Sequence, residues 1–119
     1  LSAVCTTACA ASDVIYIPTD NTAANNTELI ANIAVPAGVP IVAGEQGICS
    51  GCGVATLSID YYELGRTTGE MAAQILTGEA DITTMEVQSA PTFTKMYNPT
   101  LCEQLGVTIP EGYTAIEAE

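Results

Sequence analysis

Two cysteines three residues apart, Cys49 and Cys52, sit in the glycine-rich stretch AGEQGICSGCG, with Glu45 just before them and Asp60 a little beyond. Zinc takes four nitrogen or sulfur ligands, and this pair supplies two. Cys5, Cys9 and Cys102 stand at spacings that match no zinc module, so no metal is expected. A thioredoxin-like dithiol opens a helix after a strand, whereas CSGC reads as a loop followed by Gly53 and a further strand. The remaining chemistry is carboxylate chemistry: the chain has 14 Asp and Glu, 2 Lys and Arg, and no His.

That composition removes whole classes of function. Without histidine no Ser/His or Cys/His catalytic pair forms within the chain, and the commonest zinc ligand is absent. A net charge of -12 repels phosphate backbones and anionic lipid, so nucleic acid is not an expected partner. Charged residues are 13% of the chain against 48% hydrophobic, where about a quarter charged is usual. So much apolar matter with so little charge implies a face buried against something else. No apolar run approaches the roughly 18 residues of a membrane span. The chain opens on Leu1, and LSAVCTTACAAS lacks the basic n-region of a signal peptide. It reads as the end of an amphipathic helix, with Val4 and Ala8 a turn apart. The chain is accordingly expected to be a piece of a longer protein.

The elements that must position these groups alternate between strand and helix. DVIYIP (13–18) is a short apolar run suited to a strand buried on both faces. TDNTAANN supplies turn and cap residues, and a helix is predicted over 22–35 with Ile30, Ile33 and Ala34 on one face. Pro36, Gly38 and Pro40 end it, and VPIVAG returns as a second buried strand. Strand, helix and strand in this length make a βαβ unit with parallel strands. VATLSI (54–59) is a third strand. It leads into a helix capped by Asp60, with Glu63 at the capping-box position, an apolar stripe of Leu64, Thr68, Met71, Ala72, Ile75 and Leu76, and Gly78 as its stop. TTMEVQSAP and TFTKMY read as extended, and Asn98 with Pro99 starts a short last helix closed by Gly106. The fold class is α/β, an open parallel sheet flanked by helices.

In open α/β sheets ligands bind beyond the carboxyl ends of the strands. Each readable strand end delivers an acid: Asp20 in PTDN, Glu45 in AGEQG, Asp60 in SIDYY. Singly, such an acid reads as a cap on the helix that follows. As a set at one end of a sheet, the three favour a polar binding edge for a cationic group, hydroxyls or a hard metal.

YIPTDNT, PIVAGEQG and GVATLSIDYYELGRTTGEMAAQILTGEA, in that order, closely resemble the C-terminal part of ABC-transporter substrate-binding proteins of the tryptophan and tyrosine type, which have the type I periplasmic-binding-protein fold. The resemblance runs from about Ala10 to the end, and CSGCG looks like a variant of its loop in clostridial-type members. It implies two α/β lobes with the ligand enclosed between them. This chain would be the C-terminal lobe, with a hinge-crossing segment near 54–78 whose helix packs on the other lobe. Thr19, Asp20 and Asn21 match the family's TDN loop, Glu45 and Gln46 its GE.G loop, and Asp60 the position leading into the crossing helix. The acids would accept hydrogen bonds from a ligand ammonium or ordered water, with Thr19 and Asn21 beside them, while Tyr61 and Tyr62 wall the cleft or pack.

The function implied is non-catalytic: the extracytoplasmic solute-binding component of an ABC importer, without cofactor, holding a small amino-acid-like, aromatic ligand. Its partners would be permease subunits and the N-terminal lobe of the same protein. Its setting would be that of a cell-surface lipoprotein of a Gram-positive bacterium. In an oxidising compartment a Cys49–Cys52 disulfide would stiffen the loop. Two free, partly buried thiols at the cleft rim are the expectation ranked ahead of it. One alternative is an extracellular sensory domain using the same fold. The other is a small enzyme that pairs the three acids with a metal, against which the missing His argues.

Overall fold

The computed structural model describes residues 1–90 and 92–117, which fall into two compact units: Leu1–Ser58 with the described residues from Thr94 onward, and Ile59–Phe93. The first unit opens with α1 (Ser2–Ala11), followed by β1 (Ile15–Ile17), α2 (Asn21–Ala24), α3 (Thr27–Ala34), β2 (Ile41–Ala43), α4 (Gln46–Cys52) and β3 (Ala55–Ile59). The chain returns to it through β4 (Phe93–Tyr97), α6 (Pro99–Leu105) and β5 (Thr114–Ala115). The strands form one sheet in the order β1-β2-β3-β4-β5. Ile15 pairs with Ile41, Val42 with Ala55 and Met96 with Thr114, all in parallel register. The sheet as a whole is mixed: the Asn98 amide closes β4 onto the start of β3 by donating to the Val54 carbonyl at 3.0 Å.

Alternation along the strands decides which face is covered. Ile41 and Ala43 on β2, with Ile15 and Ile17 on β1, face Ile30 and Ala34 of α3, Ile48, Cys49 and Cys52 of α4, and Cys5 and Cys9 of α1. Each isoleucine fully buried there contributes about 1.5–3 kcal/mol. The residues between them point the other way: Tyr16, Val42 and Leu57 are 65%, 37% and 54% exposed. The expectation that the first two strands are buried on both faces is therefore corrected. The runs IYI and IVA are apolar at every position, so their composition hides an alternation that the packing displays. A second cluster of Val54, Leu101 and Cys102 holds α6 in place.

The helix expected over 22–35 is two helices. The Asn26 side chain donates to the Thr22 carbonyl at 2.7 Å, ending α2, and Asn26 then serves as N-cap of α3. An asparagine that bonds its own backbone competes with helix continuation in this way. The CSGC stretch is not a loop but the body of α4, with Gly53 as its C-cap. No strand forms between Thr83 and Ala90. There Asp81 turns the chain by accepting from the Thr83 amide and hydroxyl at 2.8 and 2.7 Å, and Pro91 lies outside the described residues. The short strand β5 carries no signal in the sequence. It forms because the Ile116 amide reaches the Tyr97 carbonyl at 2.8 Å and Ile116 enters the core.

The second unit is built on α5 (Tyr61–Thr77). Asp60 caps it as expected, Gly78 ends it in the left-handed region at φ 78°, and Glu63 takes Arg66 Nε at 2.9 Å. Of its stripe, Leu64, Met71 and Ile75 are half-buried, Thr68 and Ala72 are exposed, and Leu76 is 88% exposed. The helix has no buried residue.

Candidate functional site

Three chain segments meet where β1, β2 and β3 end in the first unit. Gly44, just after β2, donates its amide to the Ile17 carbonyl at 2.8 Å and runs hard against the next loop. A Cβ at this position would stand 2.7 Å from the Thr19 nitrogen, so only glycine lets the two strand ends approach this closely. Two residues on, the Gln46 amide donates to the hydroxyl of Ser58, a buried residue near the end of β3, at 3.2 Å. The TDN loop, the GEQ loop and the end of β3 are thus joined, the first two by close backbone approach and the last through the Ser58 hydroxyl. Thr19, Asp20, Asn21 and Gln46 are exposed there, and Glu45 is half-buried.

Each acid of the expected set caps a helix. Asp20 Oδ1 accepts from the Ala23 amide at 2.8 Å. Glu45 uses both oxygens, Oε2 for Gly47 at 2.8 Å and Oε1 for Ile48. In the other unit, Asp60 Oδ1 accepts from Tyr62 at 2.9 Å and Glu63 at 3.1 Å. Tyr61 and Tyr62 follow it and are both exposed. Capping and ligand binding are compatible, since a carboxylate has about four lone-pair sites and a cap uses one or two. The structure therefore brings Thr19, Asp20, Asn21, Glu45 and Gln46 together in one unit, while Asp60 and Tyr61 belong to the other.

The electrostatics of this edge are one-sided. Arg66 is held by Glu63 and Glu70 along its own helix, an arrangement that raises its pKa. Lys95 lies 5.9 Å over the Tyr113 ring, and no ion pair to it occurs among the described residues. Asp20 and Glu45 have no basic side chain paired with them there. Such an edge attracts an ammonium or a hydroxyl and offers an anion only backbone donors. No group of three or more His, Cys, Asp or Glu is placed to hold a metal among the described residues.

The cysteines have a different part from the one expected of them. CSGC lies in a helix that follows a strand, the placement a redox dithiol requires, so the sequence-based ground for setting that chemistry aside does not hold. Burial sets it aside instead. Cys49 and Cys52 are free and inside the core at 0% and 3% exposure, not at a cleft rim. Burial first, then the neighbouring thiols, pushes Cys49 up to about 12 and Cys52 to about 11. A thiol attacks as its thiolate, so neither is a nucleophile near neutral pH. Their sulfurs instead donate to the Gly53 and Ile48 carbonyls at 3.6 and 3.4 Å.

Two structural residues escaped the reading of the sequence. Ser58 is one. Asn98 is the other, for although it was seen as a helix start, it also ties two helices together. Its Oδ1 accepts from Leu101 at 3.1 Å while Nδ2 donates to the Ser50 and Cys49 carbonyls at 2.8 and 3.3 Å. Nothing in a lone Asn-Pro pair announces a contact made 48 residues away. A hollow of about 410 Å³ adjoins it, lined by Ser50, Asn98, Thr100 and Glu117 and by none of the strand-end acids.

Known proteins resemble this chain in sequence and fold. A tyrosine-binding protein of Clostridioides difficile is 37% identical over 68 residues, which are 57% of this chain and 20% of that protein. A ligand-free, open substrate-binding protein with adhesive properties from Clostridium difficile superposes with a TM-score of 0.75 at 28% identity, over 99% of this chain and 40% of its own. An ABC domain in complex with L-Trp from Streptococcus pneumonia gives 0.82 at 28% identity, over 97% and 41%. The chain spans about two fifths of these solved relatives and one fifth of the curated one. The family model described as ABC transporter substrate binding protein matches residues 1–118, and the chain belongs to that family.

Proposed function

We propose that this chain is the C-terminal lobe of the extracytoplasmic solute-binding component of an ABC importer, which holds an aromatic amino acid between two lobes. The observation that carries the reading is the joined, acid-bearing strand edge of a chain matched over 1–118 by the substrate-binding family model. The protein is non-catalytic, and its partners are the permease and a preceding lobe. That a relative is named for tyrosine and a structural neighbour holds L-Trp supports the aromatic ligand.

In this reading Asp20 and Glu45 accept from the ligand ammonium, with Thr19, Asn21 and Gln46 beside them. Asp60 and Tyr61 are ligand contacts on the strength of the family resemblance. A cationic end is what an edge without free bases can hold, so the ligand carboxylate is gripped by the other lobe. Segment 54–78 is the hinge crossing, and the stripe of α5 packs on that lobe. The two lobes close over the ligand, and the closed form docks on the permease. A lipoprotein anchor on a Gram-positive cell surface completes the proposal.

The test is a thermal-shift panel on the full-length protein. L-tyrosine or L-tryptophan is expected to raise the melting temperature by mass action, and the deaminated acids, which lack the ammonium, are expected to be weak. A panel in which sugars or peptides shift the protein and amino acids do not would overturn the assignment.

A further inference from the structure

Beneath α1 lies an apolar cavity of about 180 Å³, open to solvent on the side of the exposed Leu1 and Val4, that the strand-end site does not use. Its walls come from α1, β1, α2, α3 and β2, and among them are Cys5, Ala8 and Cys9, Ile17, Ala23 and Ile30. The space exists because of what α1 carries. Its inward positions are small, alanine and cysteine a turn apart, and although α1 lies against α3 it buries no residue of its own. Larger side chains there would fill the gap.

The lining decides the occupant. No nitrogen or oxygen contributes to the cavity surface, so water has no partner in it. Apolar cavities of roughly 150 Å³ stay dry and take benzene or xenon. The two half-buried thiols add soft, polarisable sulfur, which suits the edge of an aromatic ring. An amino acid is excluded, because its charged ends would be buried unpaired.

We infer that this cavity is a second binding site, distinct from the strand-end acids, for a small uncharged molecule of single-ring aromatic size. It is placed to influence the first site. Ile17 and Ala23 flank the loop carrying Thr19, Asp20 and Asn21, and the Ala23 amide is the donor that Asp20 caps. An occupant braces both ends of that loop. The inference rests on the cavity alone and stands whether or not the lobe reading does.

The test uses this 119-residue chain and benzene as the probe. At about ten times its Kd, benzene is expected to raise the melting temperature by roughly 6 °C. It should also slow maleimide capture of Cys5 and Cys9 several-fold more than that of Cys102, which lies in the other core cluster. Ala8→Leu, which fills the space, should raise the melting temperature without ligand and abolish both benzene effects, and Ala8→Val should do so in part. If Ala8→Leu does not fold, Ala8→Val and the two wild-type readouts decide. No shift in the wild type, equal slowing at all three cysteines, or a benzene effect undiminished in a folded Ala8 variant would each overturn the site.

Discussion

Replacing Glu45 separates the cap seen in the structure from the ligand contact proposed for the same carboxylate. Its oxygens accept from the Gly47 and Ile48 amides and so cap α4, a helix of seven residues carrying two core cysteines. Glu45→Ala removes both bonds. Loss of an N-cap costs roughly 0.5–2 kcal/mol. The Gly47 amide left behind is exposed, so water recovers part of that cost, while the Ile48 amide is part-buried. We therefore expect a loss of about 1.5 kcal/mol, which for a chain of this size lowers the melting temperature by roughly 6–10 °C. Glu45→Gln keeps one acceptor and should lose about half as much. The measurement is urea unfolding followed by circular dichroism, with the midpoint falling and the slope unchanged. Ligand affinity of the full-length protein is read separately by calorimetry. There Gln should cost nearly as much as Ala, about 1–3 kcal/mol, because it lacks the charge that an ammonium requires. A loss of stability below 0.5 kcal/mol for Glu45→Ala would refute the cap as a structural element. Unchanged affinity in both variants would refute its second role.

Stability should fall in alkali because of Cys49 and Cys52. Their folded pKa values of about 12 and 11 lie above the ordinary thiol value of 9.0, so their contribution is complete below pH 9. Above it the unfolded chain loses protons that the native state keeps, and by pH 10–11 the decline should approach roughly 2–3 kcal/mol per pH unit. Urea midpoints at pH 8, 9 and 10 for wild type and a C49A/C52A variant check this; parallel curves would contradict the burial argument. Asn98→Ala should cost about 2–4 kcal/mol, and Asn98→Asp at least as much although aspartate is a good cap, because it sets a carboxylate against the Ser50 and Cys49 carbonyls. An Asn98→Asp variant within 0.5 kcal/mol of wild type would show that capping is all Asn98 does.

The helices with strong ends were readable in the sequence. Asp60 to Gly78 and Asn98 to Gly106 each pair a side-chain acceptor at the start with a left-handed glycine at the stop, and both run where expected. Helix α4 was not readable, since two glycines within seven residues argue against a helix. Packing overrides that preference: a Cβ on Gly51 would collide with Thr27, so the glycine lets α3 and α4 touch. The capping role of Asp20, Glu45 and Asp60 was legible because each stands between a readable strand end and the helix behind it. The exposure of Tyr16 and Leu57 was hidden, because an apolar run is written the same way whether one face or two is covered.

The caps on Asp20 and Glu45 also bear on how quickly and tightly such an edge works. A free carboxylate samples several rotamers, and a partner that captures it must stop that motion, at about 0.5–1.5 kcal/mol for each side chain. Here the helix amides have already stopped it during folding. In the proposed role the charge is aimed before any ligand arrives, and recognition becomes a matter of fit rather than of ordering. A lengthened or loosened TDN loop would keep every acid and still forfeit that advantage, losing affinity through entropy with no contact removed.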